Sequence, residues 1–341
     1  MHKHEGSVLP PHALLGHEVS GIVDEIGPQV NSIDIGDHVV LISDSCPTCV
    51  RCTAGDPAYN HETPVTLDTL WANFSEAGGI SGELSFSNRQ RPRSKTPVQV
   101  VVDAHYVVKV DQTLPLHILG PLGCSIQVGA GAVINVLRAA AGQSIAVFGL
   151  DTVGLSAVMA AKAVGYEPII AIDCSADRRR LAAEVGATDT LDPSMYDSRA
   201  WAAGALDANV ALTPSPVTDI SCAVADTSPG GVDLSIETTG TEMGVQQALA
   251  VLRSPGTCVT LGRPGIGGDI VIDHGHLMLG RTLTGSVGGT NTARLIPRLL
   301  ELWKNGQFPL DKLVQTHPWS DLSHGPAELD SSIPKTVVVY T

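Results

Sequence analysis

The stretch Ser144-Ile-Ala-Val-Phe-Gly-Leu-Asp-Thr-Val-Gly154 decides the fold of this chain. It opens with a short apolar run, which predicts a buried strand, and continues into a turn that starts at Gly149. The alanine-rich residues 153–164 predict a helix that ends at Gly165. A strand, a glycine turn and a helix in this order are typical of the first half of a dinucleotide-binding unit.

A second strand and an acidic residue complete that unit. Residues 168–172 are apolar and are followed directly by Asp173, and residues 176–185 predict a charged helix. The N–H groups that begin the first helix can bind a pyrophosphate, and a carboxylate after the second strand can bind ribose hydroxyls. The predicted cofactor-binding residues are Gly149, Val153, Gly154 and Asp173.

Two more apolar segments extend the predicted sheet. Residues 232–236 and 257–261 have the composition of strands, and each ends near glycine or a small polar residue. Strands that alternate with helices favour a parallel sheet covered by helices on both faces. The predicted fold class is therefore α/β, with a Rossmann-type doubly wound parallel sheet.

The glycine turn departs from the usual fingerprint at one position. Asp151 stands where the pattern G-x-G-x-x-G has its middle glycine. A side chain at this position crowds the pyrophosphate, and a carboxylate adds repulsion between like charges. Two interpretations stay open: a cofactor site of reduced affinity, or a Rossmann-like fold that does not bind nucleotide.

Segments rich in Val and Ile precede this unit at residues 19–26, 37–42 and 98–110, and they predict a compact β-rich domain. After the unit, residues 295–303 carry apolar side chains at helical spacing, and residues 335–340 predict a last strand. If that strand returns to the first domain, the β-rich domain is discontinuous in sequence.

Three cysteines are clustered at Cys46, Cys49 and Cys52. The spacing C-x2-C-x2-C brings three thiolates together, which suits a tetrahedral metal ion such as zinc better than it suits a hydrophobic core. The chain has seven cysteines, an odd number, which favours reduced thiols in a metal-binding lobe over a disulfide framework.

Composition limits the classes of function. Hydrophobic residues make up 43% and charged residues 16% of the 341 residues, as expected of a globular protein with two domains. The net charge of −14 disfavours binding to nucleic acid or to an anionic membrane. The sequence has no apolar run of about 18 residues, and no apolar secretory region follows Met1. We therefore predict a cytoplasmic protein whose partner is a small molecule.

Several further motifs follow one another along the chain. They are Gly16-His17-Glu18, the cysteine lobe, Gly123-Cys124, the glycine turn and Glu237-Thr-Thr-Gly240. In this order they resemble the zinc-dependent medium-chain alcohol dehydrogenases. The segment Pro121-Leu-Gly-Cys-Ser-Ile-Gln-Val-Gly-Ala-Gly-Ala-Val-Ile-Asn135 is similar to the aryl- or benzyl-alcohol branch of that family. The resemblance implies a GroES-like catalytic domain at residues 1–124 and 290–341, a Rossmann domain at residues 125–289, and an active-site cleft between them.

In that family a catalytic zinc ion is held by an N-terminal cysteine, by the histidine of the Gly-His-Glu motif and by a later cysteine. His17 and Cys124 match the last two ligands, and the first position falls before Met1, which implies a truncated N-terminus. Glu18, His4 or a water molecule is a candidate for the missing ligand.

Glu18 matches a carboxylate that, in the same family, pairs with a basic residue near the C-terminus, and Lys335 is the candidate for that residue. The resemblance therefore implies that His17, Cys124 and Glu18 are the catalytic residues. A structural alternative stays open for two of them, a buried histidine at position 17 and a small core residue at position 124.

The resemblance also implies that the cysteine lobe binds a structural zinc ion through a fourth cysteine. That position holds Asn60, and the neighbouring His61 can replace the cysteine if the loop shifts by one residue. The predicted ligands are Cys46, Cys49, Cys52 and His61. Each zinc site is thus one expected ligand short, a pattern that also fits a decayed paralogue.

The function that the resemblance implies is zinc- and NAD-dependent interconversion of a primary alcohol, with aromatic alcohols as one candidate class, and its aldehyde. Asp173 favours NAD over NADP because it repels a 2′-phosphate. Members of the family form dimers or tetramers, so we expect a homodimer or homotetramer. Two alternatives stay open: an inactive paralogue of the same fold, and a zinc-free enoyl or quinone reductase, against which the retained cysteine lobe and Gly-His-Glu motif count.

Overall fold

The computed structural model describes residues 18–42, 49–54, 59, 102, 104–138, 140–196, 220–262, 269–288, 291–318 and 333–339. The strands are β1 (Ser20–Ile22), β2 (His38–Leu41), β3 (Val107–Val110), β4 (Ile145–Phe148), β5 (Ile169–Ile172), β6 (Asp189–Leu191), β7 (Val232–Glu237), β8 (Leu252–Thr260), β9 (Thr282–Gly285), β10 (Val314–Pro318) and β11 (Lys335–Val339).

The α-helices are α1 (Val50–Thr53), α2 (Ser125–Gly131), α3 (Thr152–Val164), α4 (Ala176–Val185), α5 (Ile220–Thr227), α6 (Glu242–Ala250), α7 (His274–Met278) and α8 (Thr292–Lys304). Short 3₁₀ turns span Ala104–Tyr106, Leu116–Ile118, Gly120–Gly123, Pro193–Met195 and Leu310–Leu313, and a π-helical stretch spans Ala132–Leu137. Within the described part of the chain, none of the helices has the length and apolar character needed to cross a membrane.

The central feature of the fold is a six-stranded sheet in the order β6-β5-β4-β7-β8-β9, in which every neighbouring pair is parallel. Helix α3 connects β4 to β5, and α4 connects β5 to β6. The direction of winding reverses between β4 and β7, so the carboxyl ends of these strands flank a crevice. The predicted α/β class with a doubly wound parallel sheet is confirmed.

Strands β4 and β5 are buried along their whole length. Burial on both faces explains why they appear in the sequence as continuous apolar runs without alternation. Strand β8 starts earlier than predicted, at Leu252 instead of residue 257. The reason is a bulge: Val232 pairs with Leu252 and Leu234 pairs with Thr257, so the residues between the two β8 positions bulge out of the ladder.

The limits of α3 and α4 are set by caps. Asp151 caps the N-terminus of α3, and Gly165 ends the helix with a φ of 83°. Ser175 caps α4 by accepting a hydrogen bond from the Arg178 N–H, and that helix ends at Gly186. Because glycine adopts a positive φ without strain, both helix ends were predictable from the sequence, and both predictions are confirmed.

The N-terminal β-rich sheet is antiparallel, in the order β1-β2-β3. Its first strand covers Ser20–Ile22 instead of the predicted residues 19–26, and residues 24–29 are exposed. Strand β3 begins at Val107 instead of residue 98, because its partner there is Leu41, the last residue of β2. The preceding Ala104–Tyr106 forms a 3₁₀ turn, and residues 98–101 and 103 lie outside the described residues.

The C-terminal strand β11 pairs in parallel with β10, from Lys335 opposite Val314 to Val339 opposite Pro318. The predicted strand at residues 335–340 is thus confirmed as far as Val339. Lys335, at its start, forms an ion pair with Glu18, just before β1. The chain therefore returns to its N-terminal region through this contact, while β11 joins a separate two-stranded sheet.

One hydrophobic cluster joins the β-rich part to the parallel-sheet part. It contains Val40 and Val108 of the antiparallel sheet, Ile126 of α2, Leu155 of α3 and Leu299 of α8. Helix α8 confirms the helix predicted at residues 295–303. The cluster contains residues from both sides of the predicted domain boundaries at residues 124 and 290. The division into two domains at those positions therefore stays a prediction.

Candidate cofactor and metal sites

The glycine turn lies at the carboxyl end of β4, beside the crevice of the parallel sheet. Gly149 has a φ of 83°, and a Cβ atom on Gly154 would lie 1.9 Å from the Gly149 carbonyl oxygen. The Thr238 hydroxyl, after β7, donates to the carbonyl oxygens of Phe148 and Gly149, both at 3.1 Å. A larger side chain does not fit at residue 154, so the tight turn depends on that glycine.

The carboxylate of Asp151 occupies the start of helix α3. Its Oδ1 accepts hydrogen bonds from the backbone N–H groups of Val153 at 3.0 Å and of Gly154 at 3.1 Å. The first N–H groups of a helix have no partner within the helix, which is why they can bind a phosphate. The Val153 and Gly154 N–H groups, which the sequence predicts as donors to a pyrophosphate, are therefore already bonded to Asp151.

Asp173 lies after β5 and next to the glycine turn. Its Oδ2 accepts a hydrogen bond from the Leu150 N–H at 2.7 Å, and its Oδ1 accepts one from the Ser175 N–H at 2.8 Å. The side chain is 11% exposed. The carboxylate thus braces the turn, and its contact with a cofactor ribose stays a prediction.

Two arginines of α4 lie beside Asp173, and neither was predicted from the sequence as part of the site. The Arg178 guanidinium lies 3.7 Å from Asp173 Oδ2. Arg179 donates to the Asp173 carbonyl oxygen at 2.5 Å and forms an ion pair with Asp192 at 3.0 Å. The run of three arginines at residues 178–180 was the available signal. The charge of Arg178 weakens the repulsion that Asp173 would exert on a 2′-phosphate.

Glu237, at the end of β7, is a fully buried carboxylate beside the turn. Its Oε1 accepts hydrogen bonds from the Thr239 N–H and hydroxyl, both at 2.5 Å, and from the Gly240 N–H at 2.9 Å. Its Oε2 accepts one from the Thr260 hydroxyl at 3.1 Å. A buried carboxylate needs such partners, and here they hold the loop that carries Thr238. In the sequence, the Glu-Thr-Thr-Gly motif marks the family but does not reveal this role.

Glu18 joins three segments that are distant in sequence. Its Oε1 accepts hydrogen bonds from the Ser125 N–H at 2.9 Å and from the Ser125 hydroxyl at 2.5 Å. Its Oε2 forms an ion pair with the Lys335 Nζ, and the Glu18 side chain is 8% exposed. The predicted pairing of Glu18 with Lys335 is confirmed. The contact with Ser125, the residue directly after Cys124, was not predicted.

The turn Gly120–Gly123, which directly precedes Cys124, packs against the antiparallel sheet. A Cβ atom on Gly123 would lie 1.8 Å from the Leu41 carbonyl oxygen, so the backbone here lies directly on β2. Cys124 is half-buried and precedes the first residue of α2. His17 and His4, the other candidate ligands on the N-terminal side, lie outside the described residues.

The surroundings of Cys124 favour the protonated thiol. Burial, followed by the negative charge of Glu18, raises the pKa of Cys124 to about 12, against a smaller opposing effect of Lys335. Because the thiolate is the form that binds a metal ion, metal binding at Cys124 would release a proton.

The cysteine lobe is described in part. Cys49 caps the short helix α1, and its Sγ accepts a hydrogen bond from the Cys52 N–H at 3.4 Å. A backbone donor aimed at sulfur favours the thiolate, the form that binds zinc. Cys46 and His61 lie outside the described residues. In the ranges that are described, no three His, Cys, Asp or Glu side chains are grouped so as to hold a metal ion.

The described residues fit the two expected groups to different degrees. The sulfur chemistry of Cys49, Cys52 and Cys124 suits zinc. At the glycine turn, Asp173 supplies a carboxylate after β5, the kind of group that can bind ribose hydroxyls. The N–H groups meant for phosphate do not fit a dinucleotide while Asp151 keeps its hydrogen bonds.

Two family models match the chain, "Alcohol dehydrogenase GroES-like domain" at residues 1–91 and "Zinc-binding dehydrogenase" at residues 152–305. The sequence is 33% identical over 332 residues to geraniol dehydrogenase from Castellaniella defragrans, covering 94% of this chain and 81% of that protein. It is 31% identical over 308 residues to alcohol dehydrogenase 6 from Rattus norvegicus, covering 89% and 76%.

Solved structures agree with these matches. Benzyl alcohol dehydrogenase from Acinetobacter calcoaceticus superposes with a TM-score of 0.76 at 32% identity, covering 93% of this chain and 80% of that one. An alcohol dehydrogenase zinc-binding domain protein from Burkholderia ambifaria gives 0.74 at 33% identity, with the same coverage. Fold and sequence together define an oxidoreductase with a GroES-like and a Rossmann part. The chain belongs to the zinc-binding, medium-chain alcohol dehydrogenase family, as its motifs predicted.

Proposed function

We propose that this chain is a zinc- and NAD-dependent oxidoreductase that interconverts a primary alcohol and its aldehyde, with aromatic alcohols among its substrates. The observation that carries the proposal is the hydrogen bonding of Glu18 to Ser125, which joins segments 107 residues apart. It brings the residue after His17 against the residue after Cys124. These are the two residues that the family resemblance matches to ligands of a catalytic zinc ion.

His17 and Cys124 would hold the catalytic zinc ion. The chemistry that these groups would supply when bound is polarisation of the alcohol oxygen by zinc and acceptance of the hydride by NAD. Glu18 has a positioning role: it fixes the two ligand-bearing segments, and its negative charge favours a cation beside Cys124. Lys335 balances part of that charge through its ion pair with Glu18.

Cys46, Cys49, Cys52 and His61 would hold a second, structural zinc ion. The hydrogen bond from the Cys52 N–H to the Cys49 sulfur supports this assignment, because it stabilises negative charge on that sulfur. Three thiolates and one imidazole form a donor set that structural zinc sites use.

Gly149, Val153, Gly154 and Asp173 would bind NAD, with Asp173 on the adenosine ribose. We propose NAD as the preferred cofactor because Asp173 presents a carboxylate at the turn, and Arg178 weakens its repulsion of a 2′-phosphate without removing it. The catalytic part would comprise residues 1–124 and 290–341, and the cofactor-binding part residues 125–289.

Relatives support the substrate class. The geraniol dehydrogenase and the benzyl alcohol dehydrogenase that this chain resembles are both named after primary alcohols with an unsaturated or aromatic group. The net charge of −14 supports a small-molecule partner instead of nucleic acid or an anionic membrane. We further propose a cytoplasmic homodimer or homotetramer.

The test is a reconstitution with metal analysis. The purified chain, loaded with zinc and mixed with NAD and benzyl alcohol, should form NADH, detected by its absorbance. Cys124→Ser should abolish NADH formation and lower the zinc content, whereas Cys49→Ser should remove the zinc of the cysteine lobe. If the chain takes up no zinc when zinc is supplied, and forms no NADH from benzyl alcohol, geraniol or short aliphatic alcohols, the proposal is refuted.

One observation favours a second candidate, an inactive paralogue of the same fold. Asp151 bonds to the helix N–H groups that a dinucleotide needs. A chain that binds zinc at both sites but shows no nucleotide binding under any condition would fit this candidate better than it fits the enzyme.

A further inference from the structure

We propose that Asp151 is a built-in competitor for the phosphate groups of the cofactor. A phosphate group of the nucleotide can accept hydrogen bonds from the Val153 and Gly154 N–H groups only after the Asp151 carboxylate has left the N-terminus of α3. The inference rests on the proposed use of NAD, but it concerns nucleotide binding and is independent of zinc and of alcohol.

The first support is the engagement of the N–H groups in the turn. Asp151 accepts hydrogen bonds from Val153 and Gly154, at 3.0 and 3.1 Å. The Leu150 N–H, on the other side of the turn, is bonded to Asp173 at 2.7 Å. An incoming phosphate that uses any of these three donors must therefore displace a carboxylate from it.

The second support is charge. The partial positive charge of a helix N-terminus stabilises one nearby anion, and Asp151 already provides that anion. In the described part of the chain no Lys or Arg forms an ion pair with Asp151, whereas Asp173 has Arg178 beside it. A pyrophosphate at this position would therefore meet an unneutralised carboxylate.

The third support is the backbone at residue 151, which shows that the side chain can be exchanged. Its φ of −72° and ψ of −169° are extended values that any residue adopts. Glycine or asparagine at position 151 therefore needs no backbone change. At residue 151 the obstacle to a phosphate is therefore the side chain and not the backbone.

Three variants separate the two effects of the carboxylate. Asp151→Gly removes both the occupied hydrogen bonds and the charge. Asp151→Asn removes the charge but keeps an oxygen that accepts from the same N–H groups, since Asn caps helices as well as Asp does. Asp273→Gly is the matched control: Asp273 also caps a helix, α7, by accepting from the Gly275 N–H at 2.7 Å. That helix precedes the edge strand β9.

The measurement is the dissociation constant of each folded variant for adenosine, ADP and NAD, obtained by isothermal titration calorimetry in the absence of alcohol. Asp151→Gly should bind ADP and NAD about 10- to 100-fold more tightly than the unsubstituted chain, the range expected for freeing hydrogen bonds to a charged group. Asp151→Asn should show a smaller gain. Adenosine, which has no phosphate, should bind all variants alike, and Asp273→Gly should match the unsubstituted chain.

Equal ADP affinity in the unsubstituted chain and in Asp151→Gly overturns the proposal, whether both bind tightly or neither binds. Thermal unfolding confirms that each variant is folded before titration. If Asp151→Gly gains ADP affinity but still oxidises no alcohol, this inference stands and the proposed function fails.

Discussion

Two carboxylates of this chain, Glu18 and Asp151, stand at the two candidate sites and act in opposite ways. Glu18 is almost fully buried, is paired with Lys335 and holds Ser125, so it joins segments that are far apart in sequence. Asp151 is half-buried, and its hydrogen bonds go to residues two and three positions further along the chain.

The comparison shows that the effect of a carboxylate on a binding site depends on how far apart in sequence its hydrogen-bond partners are. A long-range contact such as that of Glu18 assembles the site from separate segments. A local cap such as that of Asp151 stabilises its own helix, and it does so by using donors that a ligand would need.

The largest expected effect comes from Glu237, which extends the comparison to a carboxylate that is fully buried beside the same turn. Glu237→Ala would leave the N–H groups of Thr239 and Gly240 without their acceptor. We expect a loss of about 3–5 kcal/mol in the free energy of unfolding, measured by urea denaturation. Glu237→Gln, which keeps the shape and an accepting oxygen, should cost less; an equal cost would show that the negative charge matters and that the shape and the single oxygen do not.

Glu18 should show the next largest effect. Glu18→Gln leaves Lys335 without a negative partner in a largely buried position, and the expected loss is about 2–3 kcal/mol, since Lys335 keeps some access to water. Urea denaturation of Glu18→Gln, Lys335→Met and the double variant gives the coupling energy. A coupling near zero would mean that the pair does not hold the segments together.

Stability at alkaline pH tests the surroundings of Cys124. Burial raises the pKa values of Cys124 and Cys258 from 9.0 to about 12, so between these values the folded state holds more protons than the unfolded state. The unfolding free energy should therefore fall as the pH rises above 9, by at most about 1.4 kcal/mol per thiol at pH 10.

The two thiols serve as controls for each other in that experiment. Cys124→Ser should remove the part of the pH dependence of the unfolding free energy that comes from Cys124. Bound zinc should abolish the same part, because a metal-bound cysteine is already a thiolate in the folded state. The part of the pH dependence that comes from Cys258, which Cys258→Ala removes, should be the same with and without zinc. If zinc leaves the pH dependence of the unsubstituted chain unchanged, Cys124 is not a zinc ligand.

The smallest expected effect is on the stability of α3. Asp151→Ala removes the cap and should cost about 1 kcal/mol, Asp151→Gly a few tenths, and Asp151→Asn about nothing. Thermal unfolding followed by circular dichroism measures these differences. If Asp151→Gly lowers the unfolding free energy by much more than this, Asp151 also contacts residues distant in sequence. It would then resemble Glu18 in the range of its contacts.

The parallel sheet and its turn were predictable because their signals are local. Strands β4 and β5 are buried on both faces and so appear as unbroken apolar runs, and Gly165 ends its helix in a conformation that glycine adopts without strain. The bulge in β8 was not predictable, since it depends on how β7 pairs with Leu252 and Thr257. The place of Arg178 beside Asp173 likewise depends on the docking of α4 against the sheet.

The sequence by itself determined the family, the alternation of strands and helices, and the departure at Asp151, because motifs and hydrophobic periods act over a few residues. Only the tertiary structure decided that Glu18 meets Ser125 and Lys335, and that Asp173 braces the turn through Leu150. It also decided that the Asp151 carboxylate accepts hydrogen bonds from the first N–H groups of α3. These contacts depend on how the backbone packs, and side-chain identities alone do not fix that packing.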